Sequence, residues 1–119
     1  ITQSKDNLNF QNTLQQLIAD RKLENSAVYT KALIDRKSFS KIISNKDYVP
    51  KKMTVMALGL ALELKFDEYV SFLASAGYAF MPSSKFDVII KYCVLNGIYN
   101  LVEVDMILDS HGECCFAPE

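Results

Sequence analysis

The stretch from Lys51 to Leu64 leaves a helix almost no polar face. Met53, Val55, Met56, Ala57, Leu58, Leu60, Ala61 and Leu62 fall all round its axis. A helix of that kind is buried on several sides, so the pattern predicts a central helix with the rest of the chain wrapped about it. It is not a membrane span: Thr54, Gly59 and Glu63 interrupt it, well short of the roughly 18 apolar residues a span needs. The chain has 119 residues, half of them hydrophobic, which is enough for one core without metal or disulfide staples. Four glycines and three prolines are too few for an all-β chain with many turns.

The flanking segments read as amphipathic helices. Phe10, Leu14, Leu17 and Ile18 share one face of a first helix spanning about Asp6 to Lys22. A short second helix follows, with Asn25 or Ser26 as N-cap and Val28, Tyr29 and Ala32 inward. Ile34 and Asp35 make a tight connection, and Asp35 caps a third helix from Arg36 to about Ser44 with Phe39, Ile42 and Ile43 inside. Pro50 introduces the apolar fourth helix. Asp67 suits the N-cap of a fifth helix carrying Val70, Phe72, Leu73 and Ala76, with Gly77 at its left-handed end. Ser84 with Asp87, and Asn100 with Glu103, resemble capping boxes. They open a sixth helix (Phe86, Ile89, Ile90, Cys93, Val94, ended by Gly97) and a seventh (Leu101, Val104, Ile107, Leu108). The expectation is an all-α single domain over residues 1–109, with a C-terminal helical extension at about 84–109. The segment 110–119 is expected to be a disordered and dispensable tail.

Charge is unevenly placed. Between Lys31 and Lys52 stand seven basic residues against two acidic ones, a net +5, which leaves −6 on the rest of a chain whose total is −1. Such a polarised field can orient a protein on a polyanion, although the whole chain is too acidic to bind one indiscriminately. Arg36, Lys37, Ser40 and Lys41 fall at i, i+1, i+4 and i+5 on the third helix, opposite its apolar stripe. From there, Arg and Lys can reach guanine edges or phosphates. Lys46 in the following loop, and Lys51 and Lys52 at a helix N-terminus, could add phosphate contacts. The plainer reading of the same residues is a solvated helix face beside a lysine-rich loop.

The second and third helices with their short connection have the layout of a helix-turn-helix at about residues 25–44. Tyr29, Leu33, Ile34, Phe39 and Ile42 sit where that motif keeps its internal contacts. One helix before and two after, over roughly Asn7 to Tyr78, resemble the five-helix lambda-repressor-like (Cro or Xre type) fold. Where the motif ordinarily has a small residue and a glycine, this chain has Tyr29 and Leu33, so its turn is expected to be built differently. The strings YTKALIDRKSFSKI (29–42), YVPKK (48–52), LASAGY (73–78) and SSKFD (83–87) resemble something narrower. They are similar to the C-terminal helical domain of some bacterial proteins that begin with a macro (ADP-ribose-binding) domain. The resemblance implies a helix-turn-helix-like accessory module excised from a larger protein, in keeping with a chain that opens on Ile1.

Three cysteines do not make a disulfide framework. Cys93 reads as a small buried hydrophobe, and neighbouring Cys114 and Cys115 fit a reduced, cytoplasmic chain. His111, Glu113, Cys114 and Cys115 cluster without the paired spacing of a structural zinc site, so no metal and no cofactor is expected. With one histidine and no glycine-rich phosphate loop, the chain reads as a non-enzyme. Two functions stay open: a DNA-binding or regulatory helix-turn-helix domain, or a helical protein–protein or self-association module that keeps the fold without the DNA contacts.

Overall fold

A computed structural model describes residues 10–117. All the regular structure among them is helical, in seven α-helices: α1 (Phe10–Asp20), α2 (Asn25–Lys31), α3 (Arg36–Ser44), α4 (Lys52–Ala61), α5 (Phe66–Ser75), α6 (Lys85–Leu95) and α7 (Leu101–Ser110). The expected start of the first helix at Asp6 lies outside the described residues, as do the first residues of the expected 1–109 domain.

α4 occupies the centre. Every residue from Val55 to Ala61 is buried, and the helix packs against α2, α5 and α7. α1 lies across α3 and α5, and α6 bridges α5 and α7. Gly59 lets α5 approach: a Cβ there would stand 2.6 Å from the Tyr69 ring. Tyr69 is fully buried and donates its hydroxyl hydrogen bond to the Met56 carbonyl at 2.8 Å. Burial pushes its phenol well above the ordinary range. Burial likewise pushes up the Cys93 thiol, which keeps that side chain an unreactive hydrophobe in the core.

Helix ends follow one rule with an exception. α1, α2, α4, α5, α6 and α7 each close on a left-handed residue: Lys22, Leu33, Glu63, Gly77, Gly97 and Gly112. After each, the next N–H reaches back to a carbonyl five residues earlier, as Ile34 does to Tyr29 at 2.9 Å and Glu113 to Leu108 at 2.9 Å. These are Schellman closures, which satisfy carbonyls the helix leaves open. Lys22, Leu33 and Glu63 hold a conformation that favours glycine. In the turn after α2 it is Leu33, at φ +59°, that takes up the backbone shape a glycine would supply. α3 is the exception, since Asn45 at its end is extended.

Several expected boundaries shift. The residue before α2 is Glu24, with no side-chain cap bond, rather than Asn25 or Ser26, which lie inside the helix. α5 starts at Phe66 behind Lys65, so Asp67 is not its cap. The Glu68 carboxylate instead accepts the Lys65 N–H at 3.2 Å. α4 stops at Ala61 because Glu63 turns left-handed before Leu64.

The expectation of a disordered tail is corrected. Phe116 meets Phe86 edge-on, with ring centroids 5.6 Å apart. The Asp105 carboxylate accepts the N–H groups of Phe116 (2.7 Å) and Ala117 (3.0 Å). The segment up to Ala117 is thus laid back over α6 and α7. An apolar ring and a carboxylate eleven residues away are not a periodic signal, so helix patterning does not register them.

Candidate nucleic-acid interface

α3 is fixed at both ends before its outer face matters. At its start the Asp35 carboxylate accepts the Ser38 N–H at 3.1 Å and the Ser38 hydroxyl at 2.6 Å. Those two bonds, the hydroxyl first, hold the Asp35 carboxyl below the usual carboxylate range. At its end the carbonyls left open by the helix are taken by glutamines from α1. The Gln11 amide donates to the Ile42 carbonyl at 3.1 Å and also to that of Asn45, and Gln15 donates to Ile43 at 3.3 Å. Phe39 and Ile42 are buried on the inner face, and Phe39 packs against Tyr29 of α2 at 5.4 Å between centroids. The α2–α3 contact is thus an aromatic pair.

With the inner face spent, Arg36, Lys37, Ser40 and Lys41 are all exposed. α3 carries no acidic residue. The ion pairs among the described residues are Arg21–Glu68 and Lys52–Asp87, so none of the three α3 cations is paired with a carboxylate there. Arg36 and Ser40 line a shallow groove of about 500 Å³ between α3 and the start of α2, with Glu24 also on its wall. The Lys41 ammonium stands 4.8 Å from the centroid of the Tyr48 ring, a cation–π contact that steadies the side chain without neutralising it. Lys46 and Lys51 are exposed on the α3–α4 connection, Lys51 being the residue just before α4.

Lys52 does not belong to this set. Its ammonium sits 2.5 Å from the Asp87 carboxylate, whose same oxygen accepts the Met81 N–H at 2.7 Å. Asp87 is buried, so Lys52 neutralises a charge inside the protein and ties the start of α4 to α6. The expected capping box at Ser84 forms only by half: Ser84 accepts the Asp87 N–H at 3.2 Å, while the Asp87 carboxylate turns to Lys52.

Three supporting residues escape sequence reading. Gln11 and Gln15 sit on a helix whose apolar stripe draws attention away from them, and Tyr48 is one aromatic in a polar loop. Gln11 falls at i, i+3 and i+7 with Leu14 and Ile18, and a polar residue on an apolar stripe is the visible signal for the first; the other two have none. Neither family models, curated proteins nor solved structures match this chain. Among the described residues no group of His, Cys, Asp and Glu is placed to hold a metal ion. No helix there is long and apolar enough to cross a membrane.

Proposed function

We propose that this chain is a non-enzymatic helix-turn-helix module that binds DNA through the outer face of α3, as a regulatory or targeting part of a larger bacterial, cytoplasmic protein. In this reading α1 to α5 form a lambda-repressor-like bundle, α2 and α3 are the motif, and α6 and α7 are a packed extension. The observation that carries it is the exposed cationic face of α3, Arg36, Lys37 and Lys41 with Ser40 between them, unpaired with any carboxylate among the described residues, on a helix pinned by Asp35, Gln11 and Gln15. Arg36 and Ser40 face base edges, and Lys37, Lys41, Lys46 and Lys51 neutralise phosphates. Lys52 is left out, since Asp87 holds it.

The test is the salt dependence of binding to duplex DNA, followed by fluorescence anisotropy on the whole chain. Each phosphate neutralised contributes about −0.9 to the slope of log affinity against log salt, so four lysines give a slope of about −3 to −4. No binding at low salt, or a slope near zero, excludes the proposal. Self-association is the second reading, and the observation that favours it is the exposure of Val88, Tyr92 and Leu95 on one face of α6.

A further inference from the structure

The ends of α2 and α4 and the start of α7 meet around a cavity of about 320 Å³, at the small end of the range for ligand pockets. Both helix ends there close on a left-handed residue that is not glycine, Leu33 at φ +59° and Glu63 at φ +55°. Where α5, α6 and α7 end, the chain uses Gly77, Gly97 and Gly112 for the same closure. Leu33 and Glu63 are both exposed, so the core does not demand their side chains. Strain kept at an exposed side chain points to a use for that side chain. Lys22, the third such residue among the described ones, does not line the cavity.

Opposite charges stand on the cavity walls. Lys31 and Glu63 line it, both are exposed, and neither is ion-paired with the other or with any described residue. Burial first, and then the charges of Glu63 and Glu68, push up the Tyr99 phenol. Tyr99 lines the same cavity, so the Glu63 charge is felt inside it. The carbonyl end of α4 adds to the negative side. At the start of α7 the Asn100 side chain takes the Val102 and Glu103 N–H groups, which leaves Lys31 as the partner for an anion. Leu60, Ala61 and Leu101 reach the cavity from the core and make part of its wall apolar.

We propose that this cavity binds a small dipolar ion, an apolar α-amino acid. Its ammonium sits by Glu63 and the carbonyl end of α4, its carboxylate by Lys31, and its side chain against Leu33 and the apolar wall. The charge pattern selects that class. A lone anion would be repelled by Glu63, and a lone cation by Lys31. A neutral apolar molecule would strip water from both ions and replace none of it. A dipolar ligand leaves neither charge unmatched. The inference does not rest on nucleic-acid binding, and its test contains no DNA.

Isothermal titration calorimetry of the whole chain with L-leucine, and with L-methionine and L-phenylalanine in parallel, reads the binding directly. At least one of them should bind with single-site stoichiometry and a dissociation constant of about 1 mM or tighter. Its amide, which lacks the carboxylate, and the matching carboxylic acid, which lacks the ammonium, should each bind at least about tenfold more weakly. Lys31→Gln and Glu63→Gln should each weaken binding by the same order. The melting temperature of the free protein should hold in both variants, because both charges are exposed. If none of these amino acids binds at about 10 mM, the proposal is overturned. Binding indifferent to either variant also overturns it, by placing the ligand elsewhere. So does a carboxylic acid that binds as tightly as its amino acid, since the site would then be one for simple anions.

Discussion

Set side by side, α3 and α6 have much in common. Each is a surface helix with an apolar inner face, Phe39 and Ile42 in one, Ile89, Ile90, Cys93 and Val94 in the other. Each begins on a side chain that caps it, Asp35 accepting from Ser38 and Ser84 from Asp87. They part at their outer faces and at their ends. The exposed cations of both, Arg36, Lys37 and Lys41 on α3 and Lys85 and Lys91 on α6, lack carboxylate partners among the described residues, but those of α6 stand beside exposed Val88, Tyr92 and Leu95. α6 closes through its own backbone, with Gly97 left-handed and Ile98 donating to Cys93. α3 has no left-handed closure; the Asn45 N–H reaches the Lys41 carbonyl, and Gln11 and Gln15 of α1 supply donors to the carbonyls beyond it. What separates the two outer faces is what stands between the cations: Ser40 on α3, and Val88, Tyr92 and Leu95 on α6.

The largest effect expected from breaking that contrast is at Asp87, where the two halves are joined. Asp87→Ala strands Lys52 and releases the Met81 N–H. Losing one partner of a buried pair costs about 3–5 kcal/mol; the lower figure applies here, because the Lys52 side chain keeps 26% exposure. Urea denaturation would show a lower midpoint. A change under about 0.5 kcal/mol would mean that the pair contributes nothing.

Next comes the segment after α7. Ending the chain at Ser110 removes the Gly112 closure, the Phe86–Phe116 contact and the partners of Asp105. An aromatic pair is worth about 0.5–1.5 kcal/mol beyond burial, so a loss of about 1–2 kcal/mol is expected in a thermal melt. An unchanged melt would return these residues to the status of a dispensable tail.

Leu33→Gly gives the smallest effect and sharpens the comparison of helix ends. Relief of the left-handed leucine gains about 1 kcal/mol, while the freer unfolded chain takes back about 0.5–1 kcal/mol. Stability should therefore rise slightly or stay level in the same melts. A clear loss would mean that the Leu33 side chain, 45% exposed, contributes packing that outweighs its backbone.

Helix positions were largely readable from local pattern. The apolar circumference of α4 announced its burial, the Phe39–Ile42 spacing fixed which way Arg36 and Lys41 point, and Asp35, Ser84 and Asn100 each accept a bond in the first turn of the helix they precede. What stayed hidden depends on residues far apart in sequence. Lys52 looks like any lysine at a helix start until the fold brings Asp87, 35 residues on, against it. Glu24 before α2 makes no cap bond, so cap preference misplaced that boundary. Leu33 breaks a backbone preference that the surrounding packing overrides.

The direct test of the α3 face is a charge reversal, Arg36→Glu with Lys41→Glu, measured for duplex DNA affinity at one fixed salt concentration, with Tyr92→Lys as the α6 control. Each base contact is worth about 1–3 kcal/mol, so the reversal should lower affinity by at least about tenfold to a hundredfold. The melting temperature should hold, since exposed charges contribute little to stability. Tyr92→Lys should leave affinity per monomer undiminished. DNA binding that survives the α3 reversal, in a protein that melts as the wild type does, would contradict the placement of the interface on α3.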